Sequence, residues 1–161
     1  MPDTIRKKII DAVIARFKTI VTTNTAPGAT VPYQTNVGNN VWQERAKGYN
    51  PDDITAPGAL NVFFPTEKDS NAVSRHIDHE MTVEVYGLIS AGDDSSKICE
   101  QMLADLTQAI GADIQWGDNA RDTLPGEFEK DIEQDTKKVV GFKRTFTIRY
   151  RTLRFNPYDK G

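Results

Sequence analysis

The sequence predicts an α+β fold, an antiparallel-leaning mixed sheet with two amphipathic helices packed on one of its faces. Three observations carry this. Val73 to Ser90 alternates apolar and polar residues, with Ile77, Met81, Val83, Val85 and Ile89 on one side and Asp78, Glu80, Thr82, Glu84 and Tyr86 on the other, the period of a long half-buried strand. Two segments repeat apolar residues at helical spacing, one near the N-terminus and one after Asp94. A last segment, Val140 to Arg151, alternates again, with only Arg144 interrupting its apolar side.

In chain order, Thr4 is placed to cap a helix whose stripe is Ile5, Ile9, Val13, Phe17 and Ile20, ending near Val21. Thr22 to Pro32, rich in Thr, Pro and Gly, reads as a loop. Tyr33 to Arg45 has mixed β character broken by Gly38-Asn39-Asn40, an irregular strand or strand pair. Lys47 to Pro57 is a second long loop. Leu60 to Phe64 is a short strand closed by Pro65, and the long strand from Val73 follows. After Asp94 or Ser95 as cap, Ile98, Met102, Leu106 and Ile110 form a clean stripe that Gly111 stops. Gly117 to Gly126 reads as loop, and Phe128 to Gln134 as a strand turned by Asp135 to Lys138 into the final one.

With 161 residues, the chain suits a single domain over 1–161. The net charge of -3 argues against wrapping nucleic acid. The single cysteine, Cys99, excludes an intramolecular disulfide and a multi-cysteine zinc cage, and its place beside Ile98 makes it a packing or flank residue. No apolar run approaches the roughly 18 residues that a membrane span needs, and the N-terminus lacks a signal-peptide core, so the expectation is an intracellular origin without membrane association.

Catalytic signals are thin. His76, Asp78 and Glu80 share one strand face at spacings of about 6 to 7 Å, close enough for neighbours to converge on an ion and the basis of an alternative reading as a small metal-dependent enzyme; a solvated strand face is the plainer reading. The strand period puts His76 and His79 on opposite faces, which rules out their acting as an H-x-x-H pair. Asp118 to Asp122 has the start of a calcium loop, but Ala120 cannot ligate and Thr123 stands where the turn glycine belongs. No nucleophile elbow or phosphate-cradling glycine motif occurs, and no catalytic residue, metal or cofactor is expected. Lys143, Arg149 and Arg151 share one face of the last strand, with Arg154 beyond it. They suit protection of a strand edge or a contact with an acidic neighbour, with a phosphate backbone a distant third because no aromatics interleave on that face.

The N-terminal helix Thr4-Ile-Arg-Lys-Lys-Ile-Ile10, the Val41-Trp42 region, Met81-Thr-Val-Glu-Val-Tyr-Gly87 leading to Ile98-Cys-Glu-Gln-Met-Leu-Ala-Asp-Leu106, and Phe146-Thr-Ile-Arg-Tyr-Arg151 with Asn156-Pro-Tyr158 together resemble the tail terminator and neck proteins of long-tailed bacteriophages. The resemblance implies a non-enzymatic virion protein of the tail-neck region, assembled in the host cytoplasm. It implies a homo-oligomeric ring, usually a hexamer, that caps the tail tube, stops its polymerisation and meets the head connector or stopper protein, while DNA passes through without sequence-specific binding. A head completion protein or a tail-tube subunit is the alternative within the same virion. The acidic face of Asp78, Glu80 and Glu84 and the basic set Lys143, Arg149, Arg151 and Arg154 are the candidate intersubunit contacts, as complementary charges on neighbouring copies.

Overall fold

The computed structural model describes residues 1–46, 58–73, 75–90, 94–133 and 139–160. The Lys47 to Pro57 loop and the Asp135 to Lys138 turn lie outside them. The elements are α1 (Ile5–Phe17), β1 (Val41–Gln43), β2 (Gly58–Val73), β3 (His76–Ser90), α2 (Ser95–Gly111), β4 (Asp122–Glu133) and β5 (Val139–Leu153). The strands form one mixed sheet in the order β1-β2-β3-β5-β4, parallel only between β1 and β2. The fold is therefore α+β, as the alternating and helical periods predict.

Both helices lie on the face carrying Met81, Val83, Val85 and Ile89 of β3 and Val140, Phe142, Phe146 and Ile148 of β5, and all of these side chains are buried. From α1 come Ile5, Ile9, Ile10, Val13 and Phe17; from α2 come Cys99, Met102, Leu106 and Ala109. Each large apolar side chain taken out of water contributes about 1.5 to 3 kcal/mol, so this single shared layer is the main force holding helices to sheet. The Thr4 hydroxyl caps α1 by accepting from the Lys7 amide at 3.1 Å. Among the described residues, no helix is long and apolar enough to cross a membrane.

Several boundaries differ from the periodicity. Helix α1 stops at Phe17, not near Val21. Ile20 keeps its place in the core because tighter bonds, Thr19 N–H to Arg16 and Ile20 N–H to Phe17, carry the chain round. Tyr33 to Arg45 holds only the three-residue β1. Pro65 does not end β2; it falls in the register shift between Phe63 and Thr66, where it has no ladder partner and its missing N–H is tolerated. Val73 belongs to β2 and pairs with His76, so the long strand begins three residues later and forms a hairpin with its predecessor. The stretch Gly117 to Gly126 is not all loop, since β4 starts at Asp122, pairs Pro125 with Phe146 and carries Gly126 in the register shift between Pro125 and Phe128. Gly126 has a local reason: a Cβ there would lie 2.6 Å from the Thr145 carbonyl oxygen.

Trp116, in the connection between α2 and β4, is fully buried with φ at +52°. Its ring stacks on Phe146 and meets Phe17 edge-on, the Arg16 guanidinium lies 4.0 Å from its centroid, and its Nε1–H donates to Thr123 Oγ1 at 2.8 Å. The Asp113 carboxylate holds the turn by accepting from the Gln115 and Gly117 amides. Those bonds, the Gly117 one foremost, keep its pKa below the ordinary carboxylate value.

Candidate functional site

The face of the sheet opposite the helices carries Asp78, Glu80 and Glu84 of β3 and Lys143, Arg149 and Arg151 of β5. Antiparallel pairing sets Asp78 opposite Arg151 and Glu80 opposite Arg149, with Lys143 opposite Tyr86 and one diagonal step from Glu84. The charges therefore meet within one chain. Arg151 grips Asp78 with two bonds, Nε to Oδ1 at 2.7 Å and Nη2 to Oδ2 at 3.1 Å, and Arg121 approaches the same carboxylate at 3.4 Å. Arg149 lies 3.6 Å from Glu80, and Lys143 lies 3.4 Å from Glu84, which also accepts from the Tyr86 hydroxyl at 3.0 Å. The Arg151 hydrogen bond holds the Asp78 carboxyl below its usual range, and Asp78 in turn raises Arg151.

Arg154 stands apart from this ladder, in the turn after β5, where its amide donates to the Arg75 carbonyl at 2.9 Å. Arg121 joins the ladder unannounced by any alternation, because it precedes β4 and is aligned only by its amide bond to the Arg149 carbonyl. An open cleft of about 340 Å³ is bordered by Asp78, Glu80, Arg121, Asp122 and Arg149. Its charges are of both signs, with Asp78 engaged by Arg121 and Glu80 by Arg149.

The metal-ligand set His76, Asp78 and Glu80 does not stand clear for an ion, since arginines occupy both carboxylates. The two histidines do separate as the strand period requires: His79 lies on the helix-side face with Met81, and His76 on the other. Asp118 is engaged by Lys160 at 3.0 Å, and Asp122 accepts from the adjacent Thr123 amide. Cys99 is fully buried among the core residues, and burial raises its thiol pKa. Among the described residues, the group that does bring metal-ligating atoms together is Glu67, Asp69 and His79, within 4.8 Å of one another. Sequence spacing could not find it, because Glu67 and Asp69 come from a strand that the Pro65 signal closes too early.

The sheet's two sides end differently. On one, β4 is an edge strand along its whole length, with Leu124 and Phe128 partly exposed on it. On the other, β1 covers β2 only from Leu60 to Val62, and among the described residues no strand pairs with the outer edge of β2 beyond that.

No family model matches this chain, and no curated protein matches it. Among solved structures, it is similar to a chain from the virion of a native gene transfer agent (GTA) particle, with 11% identity and a TM-score of 0.40 over 91% of this chain and 90% of that one.

Proposed function

We propose that this chain is a structural subunit of a virion, a non-enzymatic tail terminator that closes as a ring, usually a hexamer, on the end of a phage tail tube. The observation that carries the reading is the pair of unlike strand edges that no strand among the described residues pairs with, β4 on one side of the sheet and the distal part of β2 on the other. A contact between two different surfaces, repeated by rotation, closes into a ring, and strand edges supply such surfaces through backbone hydrogen bonds. The resemblance of the Met81 to Gly87 and Phe146 to Arg151 phrases to tail terminator and neck proteins supports the same reading.

In this proposal the ring stops tube polymerisation, meets the head connector or stopper on its other side, and lets DNA through without reading its sequence. The charged candidates Asp78, Glu80, Glu84, Lys143, Arg149, Arg151 and Arg154 border the contact. Asp78, Glu80, Glu84, Lys143, Arg149 and Arg151 carry partners inside their own chain, so they orient neighbours more than they attract them.

Electron microscopy of the purified chain, alone and mixed with tail tubes, tests this. Single rings, or rings seated on tube ends, are expected. Long tubes formed by the chain alone would assign it instead as a tube subunit, and a chain that neither closes rings nor binds tube ends would overturn the proposal. Leu124→Lys with Phe128→Lys on the β4 edge should abolish ring formation while leaving the monomer folded, because both side chains are already partly exposed.

A further inference from the structure

We propose that Glu67, Asp69 and His79 form a binding site for a divalent transition metal of the zinc type, which clips β2 to β3 on the helix-side face of the hairpin. The site lies on the distal part of β2 that the assembly reading takes as an edge, but it uses side chains on the helix-side face and neither that edge's backbone groups nor the charged ladder.

The geometry starts from the sheet register. Asp69 and His79 are directly opposed cross-strand neighbours, and Glu67 lies one diagonal step away on the same face. His79 Nδ1 faces both carboxylates, at 2.6 Å from Asp69 Oδ1 and 3.8 Å from Glu67 Oε2. Ligand atoms on a tetrahedral zinc, with bonds of about 2.0 to 2.2 Å, stand roughly 3.3 to 3.5 Å apart, so small movements of the two carboxylates open the set around an ion. Asp69 has that freedom, being 57% exposed, whereas the His79 side chain is only 11% exposed.

The imidazole is held as metal-binding imidazoles are. Its far nitrogen, Nε2, sits 2.9 Å from the hydroxyl of buried Thr152, and its ring stacks on Tyr150 with centroids 4.5 Å apart. In one tautomer Nδ1–H donates to Asp69 and the Thr152 hydroxyl donates to Nε2; in the other the Nε2 hydrogen goes to Thr152 and Nδ1 turns a lone pair toward two carboxylates, the arrangement that a bound cation completes. Glu67 is oriented as well: its Oε1 accepts from the Tyr150 hydroxyl at 2.5 Å and has Arg6 Nε at 3.6 Å, while Oε2 is the oxygen turned to His79. One imidazole nitrogen and two carboxylate oxygens select a borderline metal such as Zn²⁺ over Mg²⁺, with the remaining position open to water.

The test is calorimetric titration of the full chain, stripped with EDTA, with ZnCl₂, alongside CoCl₂ absorption and thermal melts with and without Zn²⁺. One equivalent should bind and raise the Tm. His79→Gln and Asp69→Asn should each weaken binding at least tenfold and remove the Zn²⁺-dependent rise, while His76→Gln, on the opposite face, should leave the Kd within twofold. Should His79→Gln fail to fold, Asp69→Asn and Glu67→Gln decide the matter. A wild-type chain that binds no Zn²⁺ at millimolar concentration, variants that bind like wild type, or Mg²⁺ binding as tightly as Zn²⁺ would each overturn the site.

Discussion

Asp105 offers the sharpest test of how the helix layer is joined to the loop that precedes β1. It sits on α2 among the buried stripe residues Met102, Leu106 and Ala109, and is itself only 1% exposed. Its carboxylate accepts from the Gln34 amide at 2.9 and 3.0 Å, from the Thr35 amide at 2.8 Å and from the Thr35 hydroxyl at 2.6 Å. Asp105→Ala removes the acceptor for two backbone amides and one hydroxyl at once. Hydrogen bonds to a charged group contribute about 1.5 to 3 kcal/mol each, and stranding a buried donor costs about 1 to 3 kcal/mol. Because these effects share one carboxylate they do not add fully, and the expected loss is about 3 to 5 kcal/mol. At roughly 2 to 4 °C per kcal/mol for a chain of this size, the melting temperature should fall by about 6 to 20 °C. Urea unfolding followed by circular dichroism measures it. Asp105→Asn, which keeps one acceptor oxygen, should lie between wild type and Asp105→Ala, and a cycle with Thr35→Val should show coupling above about 0.5 kcal/mol. A loss below about 1 kcal/mol for Asp105→Ala would refute the reasoning.

Gly87→Ala should destabilise by about 1 to 3 kcal/mol, because a Cβ at Gly87 would run into the ring of buried Phe142 on the neighbouring strand; Phe142→Ala, measured in the same denaturation assay, should relieve the clash in the double variant. Trp116→Ala should cost about 3 to 5 kcal/mol and Thr123→Val a smaller amount, the first emptying a site against Phe17 and Phe146 and the second leaving the indole N–H without its acceptor. Folded-state pKa values of Asp78 and Asp113 lie below the ordinary carboxylate value, so between the folded and unfolded values the unfolded chain binds more protons. Their stabilisation is present above about pH 4 and is lost as pH falls through the folded values. Urea midpoints measured from pH 6 down to pH 2 should fall, less steeply in Asp113→Asn, and an unchanged slope in that variant would remove Asp113 from the account.

Much of the fold was legible because side-chain period is a local property. The apolar stripe from Ile98 to Ile110 and the alternation from Ile77 to Ile89 each report one face without reference to anything distant. The errors came where a local breaker met a tertiary exception: Pro65 reads as the end of a strand and Pro125-Gly126 as part of a loop, yet both lie in strands at register shifts that a sheet accommodates. Arg144 was legible as an interruption of the apolar side, and its Nε is indeed buried without a partner among the described residues.

The candidate site was legible residue by residue but not pair by pair. Composition and alternation placed Asp78, Glu80 and Glu84 on one strand face and Lys143, Arg149 and Arg151 on another. Which strand lies beside which is a non-local fact, and β3 lies against β5 although α2 and β4 separate them in sequence. That adjacency turned two complementary surfaces into one ladder closed within the chain. The sequence by itself determined the secondary structure class, the buried faces and the separation of His76 from His79, because these follow from the geometry of a strand or a helix alone. Tertiary structure alone decided the partners of the charges on β3 and β5, the gathering of Glu67, Asp69 and His79, and the burial of Asp105 against Thr35, because those depend on strand order, register and the packing of the whole core.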